Sequence, residues 1–483
     1  MNESAKKAFY ITTTLPYVNS KPHMGHALEF VRADAIARYK RLMGFDVCFN
    51  TGTDEHGIKI FQKAQEEGVD TQEFVDKNAE TFKNLLKSLN ISNDKFIRTT
   101  DEYHKLAAQE FWKRCFDNGF IYKKTYTGLY CAGCEMFIKE KDLKNGECEI
   151  HTGKKLEEIE EENYFFKFSQ FGEKLKEYYK ENPDFVTPSY RLNELTKMID
   201  EGLEDFSISR LKEKLPWGVK VPNDDEQIMY VWFDALVDYI STLGWPVDSE
   251  GQFKKYWEDG ETVQICGKDN TQHQALRWQA MLLAAGLPLT NRIIVNGFIN
   301  SKGQKMSKSL GNVIDPVELV EKYGTDALRY YVLRELSPHE DSDFSIEKFH
   351  EAYTANLVNG VGNLVNRILK LAEDYLDKAV DIESKKVFFS QYSDPFDNLD
   401  YKKAIDGTWE GVKWVDERIQ REEPFKVVKA DLEKGKQMIR ELVGNLAEVA
   451  WHLQPFLPKT AEAIFDAIAK NKKPETPLFP RID

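Results

Sequence analysis

His23-Met24-Gly25-His26 and Lys305-Met306-Ser307-Lys308-Ser309 are two segments of this chain whose residue types suit one shared task. A helix that opens on His-x-Gly-His offers free backbone N–H groups and the positive end of its dipole to an anion. His23 and His26 add imidazole donors, and Gly25, lacking a Cβ, lets a base or ribose approach the backbone. In the second segment, Lys305 and Lys308 can straddle the β- and γ-phosphates of a leaving pyrophosphate. Ser307 and Ser309 cap that loop or touch phosphate, and Gly303 and Gly311 are hinges on which it can close. None of these groups attacks a substrate. All of them stabilise charge on a phosphorus centre and its oxygens. Either segment alone is a short pattern that arises by chance; together they predict the two halves of one ATP site.

A second cluster has metal-ligand spacing. Cys131-x2-Cys134 and Cys148-x2-His151 are separated by 13 residues. Four N/S donors on two knuckles meet the tetrahedral requirement of Zn2+, and a site filled by four protein ligands is structural. Cys48, Cys115 and Cys266 lack partners at such spacing and are expected to be buried thiols.

The elements that must position these groups follow an α/β rhythm. Residues 9–15 read as a buried strand, 26–42 as an amphipathic helix ending near Gly44, and 45–49 as a second strand before the loop Thr53-Asp54-Glu55-His56-Gly57. Strand, loop, helix and strand make a βαβ unit, hence a parallel sheet. Further strands are expected at 228–233, 262–266 and 292–300. Asp315-Pro316 reads as a helix start. Beyond residue 345 the amphipathic stretches 346–378, 400–421 and 425–455 predict a helical bundle. The acidic run at 157–162 reads as a solvated face.

At 483 residues, two to four domains are expected. The predicted organisation is a Rossmann-like, doubly wound parallel sheet in two halves, 1–118 and 226–300, with a zinc-bearing insertion at 119–225. A loop region follows at 301–350, and the α-helical bundle at 351–483. No stretch reaches the roughly 18 unbroken apolar residues of a membrane span, and no apolar leader precedes residue 9. A cytoplasmic, membrane-free location is therefore expected. The net charge of −14 excludes a non-specific nucleic-acid coat, so any RNA must be met by a local basic patch.

With both signatures in place, the chain resembles the class I aminoacyl-tRNA synthetases, and among them the methionine–tRNA ligases. The likeness extends through Thr14-Leu15-Pro16-Tyr17, Thr53-Asp54-Glu55-His56-Gly57, Tyr230-Val231-Trp232-Phe233-Asp234-Ala235, Gly267-Lys268-Asp269 and Asn363-Leu364-Val365-Asn366-Arg367. The interval between the signatures leaves no room for the large editing insertion of the isoleucine, valine and leucine ligases.

The resemblance implies roles for particular residues. Leu15, Tyr17, Asp54, Trp232, Ala235 and Tyr239 would line an amino-acid pocket, with Asp54 holding the ammonium and the aromatics facing a polarizable thioether. Gly267 and Asp269 would join His23, Gly25, His26, Lys305 and Lys308 around ATP and its Mg2+. Past Gly267-Lys268-Asp269 the family carries an aromatic and then a histidine facing the side chain of the substrate. This chain has His273 and Gln274 there, and Leu236 at a position often held by proline. Asn363 and Arg367, with Phe425 as a stacking platform in place of a tryptophan, would read the anticodon of the initiator and elongator methionine tRNAs. A structural zinc is common in this insertion. A monomer is expected, because the dimerising appendix of some relatives does not follow residue 483. Two competing readings keep the fold: a cysteine–tRNA ligase, whose metal needs an open position for substrate thiol, and an inactive tRNA-binding paralogue.

Overall fold

The computed structural model describes residues 6–131, 136–138, 143–144, 146–148, 153, 155–301, 304–305, 314–385 and 390–482. Its centre is a six-stranded, all-parallel sheet. Across the sheet the strands run Lys95–Arg98, Asp46–Thr53, Ala8–Thr13, Glu261–Gly267, Arg292–Asn296 and Val186–Thr187. The order reverses direction at Ala8–Thr13, which pairs Phe9 with Val47 on one side and with Glu261 on the other. In an open parallel sheet, a ligand crevice forms where the strand order reverses, beyond the carboxyl ends of the strands.

The strands alternate between two cores, as the two-residue period of a strand requires. Phe9, Ile11, Val47, Phe49, Val263 and Ile265 enter one core. Tyr10, Cys48, Cys266, Ile293 and Val295 enter the other. Cys48, Cys115 and Cys266 are buried thiols outside any disulfide.

The first core runs without a break from the helix Met24–Leu42 into the C-terminal helices, where Leu364, Ile405, Leu446 and Ile464 belong to it. Those helices are Ile346–Ala352, Asn363–Tyr375, Ser390–Asp397, Tyr401–Glu422, Pro424–Ala430, Leu432–Leu453 and Pro458–Ala469, with a π-helical stretch at Tyr353–Gly362. Asp431 caps the longest of the last three, its carboxylate accepting from the Lys434 N–H at 3.1 Å.

Three expectations need correction. The stretch 119–225 is not wholly outside the central sheet: Val186–Thr187 within it forms the edge strand beside Arg292–Asn296. The strand expected at 228–233 ends at Met229. The Tyr230 carbonyl then accepts from the N–H groups of Phe233 and Asp234, which turns Val231–Ala235 into a helical turn. The strand expected at 292–300 breaks at Gly297, where the chain passes so close to residue 340 that a Cβ would lie 2.1 Å from the Glu340 carbonyl oxygen. Beyond the break, Ile299–Ser301 pairs in a separate small sheet with Gln304–Lys305 and Ser342–Phe344. Among the described residues, no helix is long and apolar enough to cross a membrane.

Candidate active site

His23 is the N-cap of the helix Met24–Leu42, and the two signature imidazoles close a capping box on it. His23 Nδ1 accepts from the Gly25 N–H at 3.1 Å, and His26 Nδ1 accepts from the His23 N–H at 3.2 Å. The rings stack with centroids 3.8 Å apart. Because each Nδ1 accepts a backbone proton, the neutral form of each ring carries its own proton on Nε2. Burial, and then the neighbouring His23, hold the His26 pKa well below the usual histidine value. The neutral His26 ring keeps an Nε2–H free of the capping box. Gly25 is required for a local reason: a Cβ there would lie 2.9 Å from Cε1 of the His23 ring.

Asp54 sits at the end of Asp46–Thr53, bridged to the Tyr17 segment. The Asp54 N–H donates to the Pro16 carbonyl at 2.9 Å, and the Val18 N–H donates to the Asp54 carbonyl at 3.2 Å. Its neighbours are braced from behind. Glu55 is buried and receives Arg98 Nε and Nη2 at 2.7 and 2.8 Å, together with the Thr53 and Thr100 hydroxyls. His56 Nδ1 lies 2.6 Å from Asp234 Oδ2, while His104 Nε2 lies 2.9 Å from Asp234 Oδ1. Burial alone would raise the Asp234 pKa, but the two histidines overcome it and bring the value down to about 2.

The opposite wall is aromatic. Trp232 stacks on His273 with centroids 3.7 Å apart and an interplanar angle of 11°. Tyr239 is fully buried and accepts from Gln274 Nε2 at 2.5 Å, leaving its own O–H to donate. Gln274 Nε2 also lies 3.2 Å from Thr14 Oγ1. Glu29 faces the cavity from the signature helix, accepting from the Thr14 N–H at 2.6 Å. Burial pushes its pKa up to about 8 despite that bond.

One cavity of about 430 Å3 at the sheet switch point joins most of the residues singled out in the sequence. Leu15, Tyr17, Asp54, Trp232, Ala235 and Tyr239 line one part of it. His23, Gly25, His26, Gly267 and Asp269 line the other. His273 is not on the cavity surface; it backs the Trp232 ring. Glu29, Asp238 and Asn296 line the cavity without having been singled out. Their positions come from tertiary pairing, which leaves no local sequence signal.

The second signature starts at the rim of the same cavity. Ile299 lines it, and the strand that Ile299 opens pairs Asn300 with Lys305. Lys308 lies outside the described residues. The wall before this hairpin is pinned by Asp341, which receives Lys268 Nζ at 2.7 Å and the Phe298 N–H at 3.0 Å.

Two sets of residues stand apart. Asn363 is exposed on Asn363–Tyr375, and Arg367, one turn later, is held by Asp416 Oδ1 at 2.5 Å. Phe425 is exposed at the start of Pro424–Ala430. Cys131 ends the strand Ile121–Cys131, paired with Met136, and Cys148 pairs with Leu143; both cysteines are buried. Cys134 and His151 lie outside the described residues, and no metal-binding group of three or more appears among the described ones.

Comparison with known proteins bears on the chain as a whole. It matches the family described as tRNA synthetases class I (M) over residues 9–148 and 138–369. It is 39% identical to the methionine–tRNA ligase of Caldanaerobacter subterraneus subsp. tengcongensis, over 96% of this chain and 74% of that one. It is 38% identical to the methionine–tRNA ligase of Rickettsia felis, over 97% and 93%. Among solved structures, Mycobacterium tuberculosis methionyl-tRNA synthetase in complex with methionyl-adenylate superposes with a TM-score of 0.91 at 35% identity, covering 98% of this chain and all of that one. The free form of the same enzyme gives 0.85 at 31% identity, with both chains fully covered. The fold, the cavity at the switch point and these likenesses along nearly the whole chain agree: it belongs to the methionine–tRNA ligases of class I.

Proposed function

We infer that the chain joins methionine to its cognate tRNA in two steps, through methionyl-adenylate. The observation that carries this reading is the shared cavity, where paired imidazole donors at a helix start face a carboxylate and an aromatic wall. Asp54 binds the methionine ammonium, and Trp232 and Tyr239 enclose the thioether. The methionine carboxylate attacks the α-phosphate of magnesium-bound ATP, and pyrophosphate leaves. His23 and His26 donate from Nε2 to the phosphate oxygens as charge builds. Lys305 and Lys308 neutralise the departing pyrophosphate, while Gly267 and Asp269 hold the nucleoside. The terminal ribose hydroxyl of tRNA then displaces AMP.

Asn363, Arg367 and Phe425 read the anticodon of the methionine tRNAs, and the chain works as a monomer. Cys131, Cys134, Cys148 and His151 would hold one zinc ion, a structural site because four protein ligands leave no open position. The burial of Cys131 and Cys148 in paired strands suits two thiolate ligands.

Pyrophosphate exchange into ATP, driven by each of the twenty amino acids in turn, tests the assignment. Methionine is expected to drive it, with a cognate tRNA then charged. Exchange driven by cysteine instead, or none with normal tRNA binding, overturns it.

A further inference from the structure

Two buried carboxyl groups in the cavity, Glu29 and Asp238, have no task in the reaction as described; Glu29 accepts from the Thr14 N–H, and Asp238 is the one of the two with an oxygen that lacks a donor. Asp238 opens the turn Asp238–Ser241, is 2% exposed and lines the cavity alongside Asp54, Ala235 and Tyr239. Its Oδ1 is buried and accepts no hydrogen bond. Asp234, one turn earlier, has the His56 and His104 rings against its two oxygens; Asp238 Oδ1 has no such donor. A buried acceptor without a donor is costly unless something else fills the role. A carboxylate at Asp54 disfavours a second negative charge on Asp238 in the same cavity.

We propose that Asp238 and Asp54 together receive the ammonium group of the amino-acid substrate, and that a proton carried by Asp238 in the empty pocket leaves as the ammonium arrives. The proposal rests on the reading of this cavity as the methionine site. The exchange is balanced: Asp238 carboxylic acid plus substrate ammonium gives a carboxylate–ammonium pair plus one proton released to solvent.

The surroundings of Asp238 favour the protonated state of the empty pocket. Burial, then Asp54 from the loop and Asp234 from the preceding turn, push its pKa well above the usual carboxyl range. The phenols that Asp238 perturbs are Tyr10 on the central strand, Tyr239 beside it and Tyr103 on the helix Glu102–Asp117; Tyr17, Glu29, Lys59 and Asp269 are the other charged or titratable side chains of the cavity besides Asp54 and the signature histidines. Each of these phenols is raised in turn by Asp238. His56 and His104 are engaged by Asp234.

Calorimetric titration of the full chain with methionine, in buffers of different ionisation enthalpy at pH 7, counts the protons. Release of about one proton per methionine is expected. Methioninol, which keeps the ammonium and lacks the carboxylate, should release the same proton. 4-(Methylthio)butyrate, which lacks the ammonium, should release none. Asp238→Asn should abolish the release and weaken methionine binding roughly tenfold. Unchanged release in Asp238→Asn, or release with 4-(methylthio)butyrate, overturns the proposal. If Asp238→Asn fails to fold, Glu29→Gln carries the test: ammonium-dependent release that persists in it supports Asp238 as the source, and release lost with Glu29 overturns the proposal. Methionine-dependent exchange by the wild-type chain keeps the two readings apart. Without it the functional assignment itself fails; with it, a missing proton sinks this inference alone.

Discussion

Asp34 and Arg329 meet at 2.7 Å with both side chains fully buried, and they tie the signature helix Met24–Leu42 to the C-terminal helices. Arg329 also donates to the carbonyls of Phe456, Pro455 and Leu89, at 2.7, 3.0 and 3.2 Å. Asp34 receives Arg38 Nε and the Ser92 N–H, each at 2.7 Å. Removing one partner of a buried pair leaves the other uncompensated, at a cost of about 3–5 kcal/mol. Arg329→Met is expected to lose about that much at pH 7, read by urea unfolding. Burial would raise the Asp34 pKa, but Arg329 and Arg38 overcome it and hold the carboxyl below its ordinary value. A depressed folded pKa gives stability that is complete above the unfolded value of about 3.9 and is lost as pH falls through the folded one. The gap between wild type and Arg329→Met should therefore narrow below about pH 4. A gap independent of pH would place the loss in the carbonyl contacts.

The capping box of His23 and His26 predicts two separable effects. His26→Ala removes the Nε2 donor proposed to meet the phosphates, and loss of one such donor lowers kcat by about 10²–10³. It also removes the acceptor for the His23 N–H, at about 1 kcal/mol of stability. Pyrophosphate exchange should fall by the first factor with the methionine KM little changed. Since burial keeps His26 neutral, its contribution should not change between pH 6 and 8. An inflection that disappears in His26→Ala would contradict this.

Gly297 sets the wall between the cavity and the second signature. A Cβ there would lie 2.1 Å from the Glu340 carbonyl oxygen and 2.9 Å from the Asp341 nitrogen, both backbone atoms. Gly297→Ala should displace the Phe298–Ile299 wall, lower the unfolding temperature by several degrees and raise the KM for ATP. Gly411, within Tyr401–Glu422, is the control: its nearest neighbour would be a Val449 methyl at 4.0 Å. Gly411→Ala should stabilise the chain by about 0.5–1 kcal/mol without touching exchange. Equal responses at the two positions would refute the steric account.

The residues legible in the sequence are those whose task is local. His23, Gly25 and His26 share one helical turn, so their spacing reports their geometry. Asp54 and Trp232 lie in short runs at the ends of sheet and helix elements. His273 opens a π-helical turn, His273–Trp278, and does not join the residues that line the cavity. Gln274 meets Tyr239, and His273 stacks behind Trp232. Glu29 and Asp238 carry no motif. Only the pairing of Ala8–Thr13 with Glu261–Gly267 and the packing of the helices over that sheet bring them to the cavity. The break at Gly297 was hidden for the same reason, since the obstacle is the backbone of residue 340.

The helical face offers the last test. Arg367 is held by Asp416, and both side chains are about one-third exposed. Nearby cations are likewise paired: Arg418 with Glu422 and Glu441, Lys426 with Glu423. Before Arg367 can bond an RNA base it must leave Asp416, so the acid competes with the RNA. Asp416→Asn removes the competing charge and keeps a similar shape. It should tighten tRNA binding severalfold at low salt, and the gain should shrink as salt screens the pair. Arg367→Ala should weaken binding in either background. Stability should change by less than about 1 kcal/mol, since a half-exposed pair contributes little. If Asp416→Asn leaves tRNA binding unchanged while unfolding shifts, Arg367 braces the helices and the anticodon is read elsewhere.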